Sequence, residues 1–208
     1  MMFSLQPFPS NKPLPNLSIA GDIARNSNKI VIRYEVTGDL KEIARASPAV
    51  RRIAPPANRP LQKTNSMTGE TPIPQELVEQ SNTPARQHQL WEETCFEFFL
   101  GIKNSPQYWE FNLSPAAQWN VYRFDGYRQG MQEELAFSTL PFRVDNQADS
   151  LTLCIDVDLD KIVAEEQLLD VAITTVIKHK NGEITYWALT HRGTEADFHL
   201  RESFIIEL

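Results

Sequence analysis

Hydrophobic and polar residues alternate with period two along much of this chain. Leu17, Ile19, Gly21 and Ile23 alternate with small or polar partners, and Ile30, Ile32, Tyr34 and Val36 alternate with Val31, Arg33, Glu35 and Thr37. That is the pattern of half-buried strands, and Arg25-Asn26-Ser27-Asn28 between them is turn chemistry, so the pair reads as a hairpin. Further strand signals span Cys95 to Ile102, Tyr108 to Ser114, Trp119 to Asp125, Glu134 to Leu140, Ser150 to Val157, Asp170 to Lys178, Ile184 to Thr190 and Ser203 to Leu208. Asn104-Ser105-Pro106, Ser114-Pro115, Asp145-Asn146 and Asn181-Gly182 punctuate them as turn formers.

The pattern fails from Ser47 to Arg86, where Pro48, Pro55, Pro56, Pro60, Pro72, Pro74 and Pro84 stand among Asn, Ser, Thr and Gly. This predicts a long loop with at most one short helix, Pro74 to Gln80. Lys41 to Lys63 is basic, which suits a solvated excursion or a tether for an anionic partner. One other helix is expected near Asp160 to Leu169, with acidic residues at its start. Many short strands and few helices mean a β-sandwich or barrel, read as a single domain over residues 1–208.

The net charge of -7 argues against broad nucleic-acid binding, which needs a clustered excess of Lys and Arg, and the acidic residues concentrate between Asp145 and Asp170. No basic-then-apolar leader and no long apolar run is found, so no membrane partner and a cytoplasmic location are expected. Cys95 and Cys154 sit in apolar strands without C-x-x-C spacing and read as two structural thiols. Three of the four Trp (Trp91, Trp109 and Trp119) fall in the aromatic-rich stretch 88–131, which carries the candidate chemistry.

Within that stretch, alternation puts Trp109, Phe111 and Leu113 on one face and Tyr108, Glu110, Asn112 and Ser114 on the other. In the preceding strand Phe96, Phe98 and Leu100 oppose Glu97. If three strands pair antiparallel in sequence, Glu97, Glu110, Asn112 and Arg123 are expected on one face beside Tyr108 and Trp119. Carboxylate, amide and guanidinium groups next to flat aromatic surface suit a sugar or another polyhydroxylated ligand. The same charges would equally close a buried ion-pair network.

The runs Leu90-Trp91-Glu92-Glu93-Thr94-Cys95-Phe96-Glu97-Phe98-Phe99, Tyr108 to Pro115 and Trp119 to Met131 resemble those of bacterial DOMON-like proteins related to family-9 carbohydrate-binding modules. His191, Asp197-Phe198-His199 and Phe204 are similar to the same family's C-terminal signature. The resemblance implies an antiparallel β-sandwich, jelly-roll-like or immunoglobulin-like, whose characterised relatives bind sugars or haem. Family-9 modules grip a sugar between two Trp rings, for which Trp91, Trp119 and Trp187 are the candidates, while Trp109 reads as core. The Ser47 to Arg86 excursion is longer than the family leads one to expect.

The resulting expectation is a non-catalytic protein that binds a small polar ligand, a carbohydrate, through Glu97, Tyr108, Glu110, Asn112, Trp119, Arg123, Trp91, Trp187 and His191. A haem-binding redox protein is one alternative, since haem-carrying relatives use Met with His or Lys; Met131, His179, His191 and His199 are available, without a C-x-x-C-H motif. A small hydrolase using the Glu97 and Glu110 carboxylates is another, although no G-x-S-x-G or H-E-x-x-H marks a nucleophile or a zinc site. Calcium at Asp156-Val157-Asp158-Leu159-Asp160 competes with simple capping by Asp158 or Asp160, and an EF-hand loop fails because its sixth position is Lys161.

Overall fold

The alternating segments pair into two β-sheets whose inner faces meet. A computed structural model describes residues 1–44 and 84–208. The Ser47 to Arg86 loop therefore lies outside the described residues except for its last three, and so does the Pro74 to Gln80 helix. The first sheet has strands β1 (Met2–Ser4), β3 (Ser18–Asn26), β4 (Lys29–Thr37), β10 (Phe142–Asn146) and β11 (Ser150–Asp158), in the order β1-β3-β4-β11-β10. The second has β2 (Gln6–Pro7), β5 (Ala85–Arg86), β6 (Cys95–Ile102), β7 (Tyr108–Leu113), β8 (Gln118–Phe124), β12 (Leu169–Lys178) and β13 (Ile184–Ala188), ordered β2-β13-β12-β6-β7-β8-β5. Two short strands, β9 (Gln132–Glu133) on β8 and β14 (Ile206–Glu207) on β12, extend it. Pairing is antiparallel except between β5 and β8.

The expected hairpin forms with Asn26 opposite Lys29, so its turn is the two residues Ser27 and Asn28, with Ser27 at a φ of 53°. Alternation then decides burial. Ile30, Ile32, Tyr34 and Val36 of β4 and Leu151, Leu153, Ile155 and Val157 of β11 face Phe96, Phe98, Leu100, Trp109 and Phe111 across the sandwich. Tyr34 is fully buried there, and its hydroxyl donates to the Glu97 backbone carbonyl at 2.6 Å, joining the layers. Cys95 points out of the second sheet, whereas Cys154 alternates with the inward Leu153 and Ile155 and points out of the first. Both are free thiols, as expected, and they cannot meet.

Two expected elements do not form, for the same reason. Asp160 to Leu169 is a series of turns: after one helical turn closed by Val163 N–H on the Leu159 carbonyl, side chains take over the backbone groups. Asn28 Nδ2 donates to the Val163 carbonyl, Gln167 Oε1 accepts from Ala164 N–H, and Arg25 donates to the Glu165 and Gln167 carbonyls. Glu134 to Leu140 is likewise no strand, because Arg86 holds the Glu134 and Phe137 carbonyls that a ladder would use. The Asp158 carboxylate accepts from Asp160 N–H at 3.0 Å and Asp160 accepts from Asn28, so this acidic run serves the turn.

Candidate functional site

The outer face of the second sheet carries the polar side chains, and pairing register determines which ones. Glu97 lies opposite Asn112 and Thr174, and Phe99 lies opposite Glu110. On the far side of β7, Tyr108, Glu110 and Asn112 lie opposite Phe124, Tyr122 and Asn120. The third strand therefore contributes Asn120, Tyr122 and Phe124 to this face. Arg123 and Trp119, expected beside the carboxylates, turn inward with Trp109 and Leu113, their partners in the ladder.

Trp119 is 1% exposed, stacked under the Arg86 guanidinium at 4.3 Å. Arg123 pairs at 3.8 Å with Asp125 on its own strand's exit. Trp187 is also core, its indole N–H donating to Thr185. His191 lies outside the polar face, with Nε2 on the Gln6 carbonyl and its ring edge-on to Phe8.

What remains is brought together. The outer face is covered by three segments: the turn Leu90–Glu92, the loop from Tyr127 to Met131, and the C-terminal run through Phe198 and His199. Between them lies a cleft of about 420 Å³. Glu97 and Glu110 form its floor, Trp91, Phe99, Phe124, Tyr186 and Phe198 its walls, and Arg128, Met131 and His199 line it as well. Tyr108 and Asn112 support the floor from beside it. Of the nine expected site residues, Trp91, Glu97 and Glu110 line the cleft directly.

Both floor carboxyls are buried, at 2% and 5% exposure, and both titrate high. Burial pushes Glu97 well above the usual carboxylate range, the Glu110 charge adds to this, and the hydrogen bond from Thr174 opposes it. Glu110 is raised to about 7, again by burial, against the Asn112 amide and the Arg128 charge. Asn112 Nδ2 donates to Glu110 at 2.7 Å and Thr174 donates to Glu97 at 3.2 Å, while Glu97 Oε1 has no partner. Burial also raises the Cys95 thiol, which donates to Asn112 at 3.4 Å.

His199 completes the polar set. Burial, helped by Arg128, lowers its imidazole to about 4, so it is neutral at pH 7. Arg128 N–H donates to the Tyr108 oxygen at 3.2 Å, which leaves the Tyr108 hydroxyl to donate to His199 Nδ1 at 2.8 Å. The ring proton then sits on Nε2, 3.8 Å from Glu110 Oε2 and therefore beyond a hydrogen bond. Arg128 is held over the rim by Asp197 at 2.8 Å, and Tyr127 also donates to that carboxylate. The floor thus offers an unpartnered carboxyl oxygen, an imidazole N–H donor and a second carboxyl, under aromatic walls.

Met131 and His199 both line the cleft, as a haem reading would require. Of the two His199 nitrogens, Nδ1 is taken by Tyr108, while Nε2, 3.8 Å from Glu110, is the one left open to a ligand. Alternation alone could have nominated Asn120, Tyr122 and Phe124. His199 and Phe198 had a signal only in the C-terminal run, Arg128 had one only as part of the Trp119 to Met131 run, and Tyr186 had none.

No protein-family model matches this chain, and no curated protein matches it. Among solved structures, it is similar to a Bacteroides uniformis protein described as a "putative carbohydrate-binding protein". The TM-score is 0.61 at 12% sequence identity, over 98% of this chain and 84% of the other. That likeness is one of fold, and it agrees with the antiparallel β-sandwich expected from the sequence.

Proposed function

We propose that this protein is a non-catalytic binding module that takes a small carbohydrate into the cleft over the second sheet, as a relative of the DOMON-like proteins and family-9 modules its sequence resembles. The observation that carries this reading is the combination, in one cleft of about 420 Å³, of aromatic walls with carboxyl, imidazole and guanidinium groups. Sugar hydroxyls need such donors and acceptors while the C–H face of the ring rests on an aromatic surface. The description of the Bacteroides uniformis fold neighbour lends support from outside the chain.

Glycoside hydrolysis through Glu97 and Glu110 is less well supported. That chemistry needs one carboxylate held ionised beside one acid, whereas burial raises both here. Calorimetric titration with a panel of mono- and disaccharides tests the binding reading. Trp91→Ala, which removes a half-buried wall, should weaken the best ligand at least about ten-fold, the loss expected of a stacking aromatic. Arg123→Ala should bind normally, since its side chain lies off the cleft. Unchanged affinity in Trp91→Ala, with the fold intact by circular dichroism, would refute the assignment.

A further inference from the structure

We propose that the cleft selects a ligand carrying a protonated amine; resting on the carbohydrate reading above, this means an amino sugar with a free amine. Three independent features of the floor and walls point there.

The first is an excess of carboxyl groups. Glu97 and Glu110 sit diagonally on adjacent strands, two residues apart in register and so on the same face, and both line the same cavity. The second is an incomplete set of partners. Glu97 is 2% exposed, its Oε2 accepts from Thr174, and its Oε1 is buried without a partner, a costly state unless something supplies a donor. Around Glu97 the titratable neighbours are Tyr34, Cys95 and Glu110; around Glu110 they are Cys95, Tyr108, Tyr122, His199 and Arg128. Among the described residues, Arg128 is the cation of this group, and it is bound to Asp197. The third is the wall: Trp91, Phe99, Tyr186 and Phe198 present aromatic surface, which attracts an ammonium through its ring quadrupoles.

A neutral hydroxyl could donate to the floor but would bring no charge to it. An ammonium group brings up to three donors and the missing positive charge together. Its arrival favours the ionised floor, so binding should expel a proton and tighten as the pH rises toward neutrality. An acetylated amine loses both the charge and two of the donors.

The test is isothermal titration of the full chain with glucosamine, glucose, N-acetylglucosamine and cyclohexylamine at about pH 6.5, repeated in buffers of different ionisation heat to count released protons. Glucosamine is expected to bind at least ten-fold tighter than glucose or N-acetylglucosamine, with proton release, and Glu97→Gln should abolish that preference. Glu110→Gln serves as a second variant should Glu97→Gln not fold. Equal binding of glucosamine and glucose would overturn amine selection and leave the carbohydrate reading standing. Cyclohexylamine binding without any sugar would uphold amine selection and overturn the carbohydrate reading. Binding of none of the four would overturn amine selection, and the carbohydrate reading would fall with it only if the wider panel of mono- and disaccharides also failed to bind.

Discussion

Replacing Glu110 by Gln should stabilise the protein, and more so as the pH rises. Gln keeps an oxygen for the Asn112 amide, which donates to Glu110 at 2.7 Å, but it has no charge to desolvate. Burial moves the Glu110 carboxyl from 4.5 to about 7. At 1.36 kcal/mol per pH unit, that difference corresponds to about 3 kcal/mol. Because the folded pKa lies above the unfolded one, the native state binds more protons between the two values, and wild-type stability falls there as the pH rises. Relative to Glu110→Gln, the wild type should be equal near pH 4 and lower by about 3 kcal/mol once the pH has passed through the folded value. His199 runs the other way: with a folded value of about 4 against 6.5, the unfolded state binds more protons, so stability rises with pH across that window. That contribution is common to both proteins and cancels in their difference. Removing the Glu110 charge also relieves Glu97, which adds to the gain. Urea unfolding of both proteins at about pH 5 and about pH 8 measures the effect, and roughly 2 kcal/mol or more of the difference should develop between them. A gap that does not widen with pH would refute the buried-acid account of the floor.

Two structural substitutions probe the supports around the cleft. A Cβ at Gly101 would stand 1.6 Å from Arg201 Nη1, so Gly101→Ala should displace the guanidinium that bridges Asp170 and the Ile102 carbonyl. A loss of about 1–3 kcal/mol in urea unfolding is expected, and an unchanged midpoint would contradict it. Arg86→Lys removes a planar fork that reaches Asn120 and the Glu134 and Phe137 carbonyls. It should cost about 1–2 kcal/mol and speed amide exchange at residues 134–137, whereas exchange confined to other segments would count against the bridging role.

The strands were legible because burial on one face leaves a period-two imprint. Cys95–Ile102 was read to the residue, and β7, β8, β11 and β12 to within one residue at either end. The face of β8 was not legible. Alternation divides it into Trp119, Val121 and Arg123 against Asn120, Tyr122 and Phe124, and each set mixes aromatic with polar residues. Which set looks inward depends on the register across the turn after Leu113, where Ala117 adopts a φ of 59° and Trp119 comes to lie opposite Leu113. Glu134 to Leu140 and Asp160 to Leu169 misled for another reason. Their backbone groups are satisfied by Arg86, Arg25, Asn28 and Gln167, long-range partners that no local pattern reveals. The pairing of Tyr108 with His199, 91 residues apart in sequence, was illegible in the same way.

The cleft divides its labour between two kinds of chain. Its acidic floor is carried by β6 and β7, held on both sides by ladder hydrogen bonds, while its rim and much of its wall come from turns at 90–92, 127–131 and 196–199. Substitutions in those turns alter what touches a ligand while leaving the strand ladders of β6 and β7 in place. The scaffold is therefore suited to loop grafting: a library confined to those three segments could retune ligand preference while the acid pair stays in register beneath it.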